Sequence, residues 1–151
     1  MRARIEAALK EAMKARDATR TSTLRLVIAA LKDRDIAARN EEGSNEASEA
    51  DILAILGRMV RQREESAHAY EEGGRLELAE RERAEIGVIR EFMPRPMDQA
   101  EVDVAVADAI ADTEAQSIKD MGRVIGALKE RYPGRMDFAR VGAQVRQALC
   151  H

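Results

Sequence analysis

Only three prolines interrupt this chain of 151 residues, and two of them, Pro94 and Pro96, flank a single arginine. Proline lacks the amide proton a helix needs and pushes its predecessor toward extended backbone, so this pair ends any helix that reaches it. On both sides of the pair, apolar residues recur at spacings of three and four. Leu24, Val27, Ile28 and Leu31 do so before it, and Val102, Ala105, Val106, Ala109 and Ile110 after it. That is the period of a helix with one buried stripe. No stretch alternates at period two with β-branched residues, so no strand is expected. The expected fold is all-α: an N-terminal bundle of about four helices in residues 1–93, then a compact three-helix module in residues 97–151.

Finer signals place the helices. Ile5, Leu9, Ala12 and Met13 mark the buried face of the first. The second is expected over about residues 20–39, with Asp17, Thr19 and Thr21 as N-cap candidates. The polar run Asn40–Ser48 reads as a mobile loop. Ser48-x-x-Asp51 has the form of a capping box opening a third helix, whose stripe runs from Ile52 to Tyr70 and stops at Gly73-Gly74. The fourth turns Leu76, Ala79, Ile86, Ile89 and Met93 inward. Beyond the prolines, Asp98-x-x-Glu101 and Ser117-x-x-Asp120 open two further helices. Asp137 caps the last, which buries Phe138, Val141, Val145 and Leu149.

Composition excludes several classes. With 45% hydrophobic residues at helical spacing, the chain can build a core and does not read as disordered. No apolar run approaches the roughly 20 residues a bilayer crossing needs, so no membrane association is expected. The stretch Met1–Arg16 has the arginines of a targeting peptide, but Glu6 and Glu11 argue for the first helix of the fold. A lone Cys150 forms no internal disulfide, and the cytoplasm is the simplest location.

Chemistry is sparse. His68, His151 and Cys150 have no metal-ligand spacing, no phosphate loop of the G-x-x-x-x-G-K-S/T type occurs, and no serine has an orienting partner. No catalytic residue, cofactor or metal is therefore expected. Gly122 and Gly126 open one helix face, either to a closely packed helix or to a ligand backbone. Arg61-x-Arg63-Glu64-Glu65 reads as a solvated face laced by i,i+4 pairs.

Charge is sorted although the net is only −3. Residues 98–118 hold six acids and no Lys or Arg, whereas residues 119–146 hold seven cations against three acids. Local basic surface, rather than net charge, attracts phosphate. Aromatics are 3% of the chain, which disfavours base stacking and favours folded RNA read by phosphate and shape. Lys119, Arg123, Lys129, Arg131, Arg135 and Arg140 are the expected RNA contacts, converging on one outward wall.

Five segments together resemble the GatB/YqeY family of YqeY-like proteins: Leu24-Arg-Leu-Val-Ile-Ala-Ala-Leu-Lys32, Arg61-Gln-Arg-Glu-Glu-Ser66, Gly74-Arg-Leu-Glu-Leu-Ala79 with Glu82 and Glu85, Phe92-Met-Pro94, and Lys119-Asp-Met-Gly-Arg-Val124 leading to Leu128. The resemblance covers essentially the whole chain. A related domain forms the tail of the B subunit of the tRNA-dependent amidotransferase and part of the N-terminal region of glutaminyl-tRNA synthetases, where it is associated with holding tRNA. The resemblance therefore implies two helical parts and a tRNA-associated accessory role. A second reading is a protein–protein adaptor docking on an amidotransferase or aminoacyl-tRNA synthetase subunit. A third is a carbon–nitrogen ligase with glutamine as amido-N-donor, for which no catalytic constellation is visible. Arg135-Met-Asp-Phe138 departs from the family's small-residue and Asp-Gly turn, which leaves open the shape of the turn from Pro133 to Asp137.

Overall fold

The computed structural model describes residues 1–42 and 47–150, with residues 38–42 described by their backbone alone. Every regular element among them is helical: α1 (Arg2–Lys14), α2 (Ala18–Glu42), α3 (Glu49–Glu72), α4 (Leu76–Arg90), α5 (Gln99–Asp112), a 3-10 turn (Ile118–Asp120), α6 (Met121–Arg131) and α7 (Phe138–Leu149). The chain folds as two compact units, Met1–Met93 and Pro94–His151.

In the first unit α4 lies along α3, α1 along α2, and α2 against α4. Ile5, Leu24, Val27, Leu31, Leu56, Ile89 and Phe92 meet in one core. Asp17 caps α2, its Oδ1 accepting the Arg20 amide at 3.0 Å. The Ser48 box is complete: the Asp51 amide donates to Ser48 Oγ and the Ser48 amide to Asp51 Oδ2, both at 3.1 Å. The Ser48 backbone amide is the main cause that lowers the Asp51 pKa. Thr23 is the one fully buried polar side chain among the described residues, and its hydroxyl donates to the Thr19 carbonyl at 2.7 Å.

Three expectations need correction here. Helix α2 continues through Glu42, because the glutamates after Asn40 are good helix formers and no glycine intervenes before Gly43. The centre of the expected loop, residues 43–46, and the mobility assigned to it lie outside the described residues. Met13 is half exposed, one step round α1 from buried Ala12. Leu76 is 61% exposed, since it begins α4 at the hairpin tip beyond the end of the core. The tip itself turns at Gly74, whose φ of 75° suits a residue without a Cβ.

Charges between α3 and α4 depart from a simple solvated face. Arg61 and Glu65 do form an exposed i,i+4 pair. Arg63 instead turns inward: Nε donates to Glu85 Oε2 at 3.0 Å and Nη1 to the Met59 carbonyl at 3.2 Å. Its neighbour Glu82 is desolvated and faces the Glu85 charge, and both raise its pKa despite Arg63. A raised carboxyl pKa means the ionised form works against the fold. Glu82→Gln is therefore expected to raise the urea midpoint at pH 7, through a gain in unfolding free energy of about half a kcal/mol or less after solvent screening. The gain should shrink as pH falls through the raised pKa and vanish below the ordinary glutamate value. Paired urea titrations at pH 7 and pH 4 check this; a loss of stability at pH 7 would contradict it.

In the second unit α5, α6 and α7 enclose Val102, Val106, Ala109, Val124, Leu128, Val141 and Val145. The Asp98 box is formed, with the Glu101 amide donating to Asp98 Oδ1 at 2.8 Å and the Asp98 amide to Glu101 Oε1 at 3.3 Å. The Asp120 carboxylate accepts the amides of Gln116 and Ser117, at 2.9 and 3.3 Å. The Gln116 amide is the leading cause of its lowered pKa, followed by Arg123. Asp137 caps α7 through the Ala139 amide. Phe138, expected in the core, is only partly buried and packs at its edge. The turn before α7 has Pro133 and Gly134 as its central residues, with Gly134 at φ 74° and the Arg135 amide donating to the Tyr132 carbonyl at 3.2 Å. Proline then left-handed glycine is the pattern of a type II turn, and it needs no Asp-Gly pair.

Candidate functional site

The cations nominated by the sequence all lie in the second unit, on or beside α6 and α7, but they divide into two groups. Arg123 reaches Asp120 at 2.8 Å, Arg131 reaches Asp112 at 2.9 Å, Arg140 lies 3.8 Å from Asp137, and Arg135 lies 3.6 Å from Glu101. Arg135 does more: its Nε donates to the Arg95 carbonyl at 3.0 Å while its own carbonyl accepts the Met97 amide at 3.0 Å. It staples the proline segment to the turn before α7. Lys119 and Lys129 have no carboxylate partner among the described residues, and Lys129 sits 5.9 Å over the Phe138 ring.

Nor do the six converge on one wall. Lys129 leans toward α7, where Phe138 lies, whereas Arg131 leans toward α5, where Asp112 lies. Residues two apart on a helix point about 200° apart, so no regular helix could bring these two together. The expectation of a single outward wall ignored that separation.

A different grouping emerges from helical spacing. Gly122, Gly126 and Lys129 stand at i, i+4 and i+7, so they share one exposed face of α6. Ala139, Ala143 and Arg146 repeat that spacing on α7, again all exposed. Two contacts show which flanks of these helices meet: Lys129 lies over Phe138, and a Cβ placed on Gly142 would lie 3.7 Å from Met121 Cε. The two stripes therefore line opposite sides of the α6–α7 groove, small residues along it and a cation at one end of each. Arg146 has no carboxylate partner among the described residues and joins Lys119 and Lys129 in that respect. It was not among the six nominated contacts; its i+3 relation to Ala143 was the available signal.

A Cβ at Gly122 or Gly126 would meet no atom within 4 Å. The close helix packing expected at these glycines is therefore not made, because α7 approaches α6 on the adjacent flank, at Gly142. The groove above stays open. Among the described residues there is no group of three or more His, Cys, Asp or Glu that could hold a metal ion. No helix there is long and apolar enough to cross a membrane.

These features define an all-helical protein of two units, the second carrying an open groove edged by cations that have no carboxylate partner among the described residues. The chain belongs to the YqeY-like protein family, whose model matches residues 2–149. Among curated proteins it is similar to the altered inheritance of mitochondria protein 41 of Eremothecium gossypii, 33% identical over 102 residues, covering 67% of this chain and 54% of the relative. The protein of that name from Lachancea thermotolerans is 27% identical over 106 residues, covering 69% and 54%. An uncharacterized protein of Schizosaccharomyces pombe is 27% identical over 94 residues, covering 62% of this chain and 72% of the relative. The chain spans about half the length of the two mitochondrial relatives.

Proposed function

We propose that this protein is an accessory factor that holds folded RNA, tRNA being the class its family resemblance points to, through the α6–α7 groove. The observation that carries the reading is that Lys119, Lys129 and Arg146 have no carboxylate partner among the described residues, and that Lys129 and Arg146 share the exposed faces of α6 and α7 with small residues. Such a surface suits a sugar-phosphate backbone: glycine and alanine let it approach, and the flanking cations neutralise it. Arg123, Arg131, Arg135 and Arg140 contribute less, since their fields are partly cancelled by Asp120, Asp112, Glu101 and Asp137. The family's association with amidotransferase and aminoacyl-tRNA metabolism fits this role, and no catalytic step is assigned.

Fluorescence anisotropy of the full chain with labelled total tRNA across a salt series tests the proposal. With about three phosphates neutralised, log K against log salt should fall with a slope near −2.7 from a micromolar Kd at low salt. Binding that is absent, or indifferent to salt, would remove the RNA reading. The open stripes at Gly122–Gly126 and Ala139–Ala143 also favour a second reading, an adaptor that accepts a helix of an amidotransferase or synthetase subunit. Capture that survives nuclease treatment would favour the adaptor over the RNA holder.

A further inference from the structure

The first unit carries an open depression of about 450 Å³ lined by Arg4, Ala8, Arg20, Glu91 and Phe92. Phe92 is buried, 4% exposed, and the Arg4 guanidinium lies 5.1 Å from its ring centroid. Arg4 Nη2 also donates to the Glu91 carbonyl at 2.8 Å. Ring and carbonyl hold this guanidinium in place, yet engage only part of its five N–H groups. Arg20 enters from the first turn of α2, fixed there by the Asp17 cap. Its Nη1 donates to Glu91 Oε2, and the Glu91 side chain is half exposed.

Two guanidinium forks thus line one depression, with a single carboxylate among the described residues in contact with one of them. A carboxylate has two oxygens and matches one fork. Inorganic phosphate or a phosphate monoester presents at least three and can accept from two forks at once. We propose that this depression is a phosphate site in which Arg4 and Arg20 chelate the ligand and Glu91 acts as an internal competitor that swings off Arg20 to admit it. Glu91 caps the end of α4, where its side chain can turn to solvent. An exposed Arg–Glu pair is weak, so its displacement opposes binding only slightly. The site is independent of the groove in the second unit. Its phosphate can come from a small compound or from the terminal phosphate of a polynucleotide.

The test titrates the full chain with inorganic phosphate, following thermal shift and calorimetry, against acetate and chloride at matched ionic strength. Phosphate should raise the melting temperature of the wild type where acetate and chloride do not. Glu91→Gln, which removes the competitor, should tighten phosphate binding on the order of fivefold. Arg4→Gln and Arg20→Gln should abolish it. A structural pair alone predicts the reverse for Glu91→Gln, a loss of stability with no gain in binding, and that outcome would overturn the assignment. So would acetate matching phosphate, or binding that survives Arg20→Gln. Adding total tRNA to a chain with Lys119, Lys129 and Arg146 reversed separates the sources. Competition there points to nucleic acid, and its absence, with phosphate still bound, to small phosphate compounds.

Discussion

Replacing Lys119, Lys129 and Arg146 together by glutamate is expected to weaken tRNA binding by about a hundredfold or more while the helices stay folded. Each reversal removes one phosphate contact and adds a repulsion, and a charge contact near water is worth about 1 kcal/mol. Three of them exceed the roughly 2.7 kcal/mol that a hundredfold represents. The salt slope should collapse along with the affinity. A matched triple, Arg123, Arg131 and Arg140 to glutamate, should cost far less, because each of those arginines already faces a carboxylate. Anisotropy on both triples, with circular dichroism to confirm helix content, makes the comparison. Equal losses would mean that the groove has no special standing. A larger loss from the second triple would move the interface to another face.

Arg63→Ala is expected to destabilise the first unit by about 3 kcal/mol, the largest stability effect foreseen for one charged residue here. Arg63 and Glu85 are only 13% and 18% exposed, so truncating the arginine leaves a carboxylate that solvent does not reach well. Glu82, one turn away with its pKa already raised, makes the orphaned charge worse. Arg63→Met with Glu85→Leu should recover most of the loss, since apolar replacement of both partners avoids the unpaired charge. Urea unfolding by circular dichroism reads the effect. A cost below about 1 kcal/mol for Arg63→Ala would show the pair to be no stronger than a surface one.

Local signals were the legible part of this fold. Ser48, Asp98 and Asp137 act as caps because capping depends on residues two or three positions away, within the reach of a short pattern. Stripe interiors such as Leu24–Leu31 were equally readable. Stripe ends were not: Met13 and Leu76 are apolar and correctly spaced, but how far the neighbouring helix extends decides whether they are covered. Charge pairing was hidden for the same reason. Arg63 finds Glu85 twenty-two residues away, and Arg131 finds Asp112 on another helix, so composition counted as free several cations that folding neutralises. The groove stood half-visible in the sequence. Gly122 and Gly126 were evident as an open face, whereas the matching Ala139, Ala143 and Arg146 became meaningful only once α7 lay beside α6.

The acidic run before the basic one acquires a geometric sense in the folded second unit. Helix α5 presses Val102, Ala105, Val106 and Ala109 into the core, and acids on its flanks turn to the helices beside it: Asp103 accepts the Gln144 side-chain amide of α7 at 2.8 Å, and Asp112 meets Arg131 of α6 at 2.9 Å. Much of the unit's opposite charge is thus held in short pairs rather than on opposite sides. The field of such close pairs fades within a few ångströms, so at a distance the cations without carboxylate partners among the described residues set the sign that α6 and α7 present.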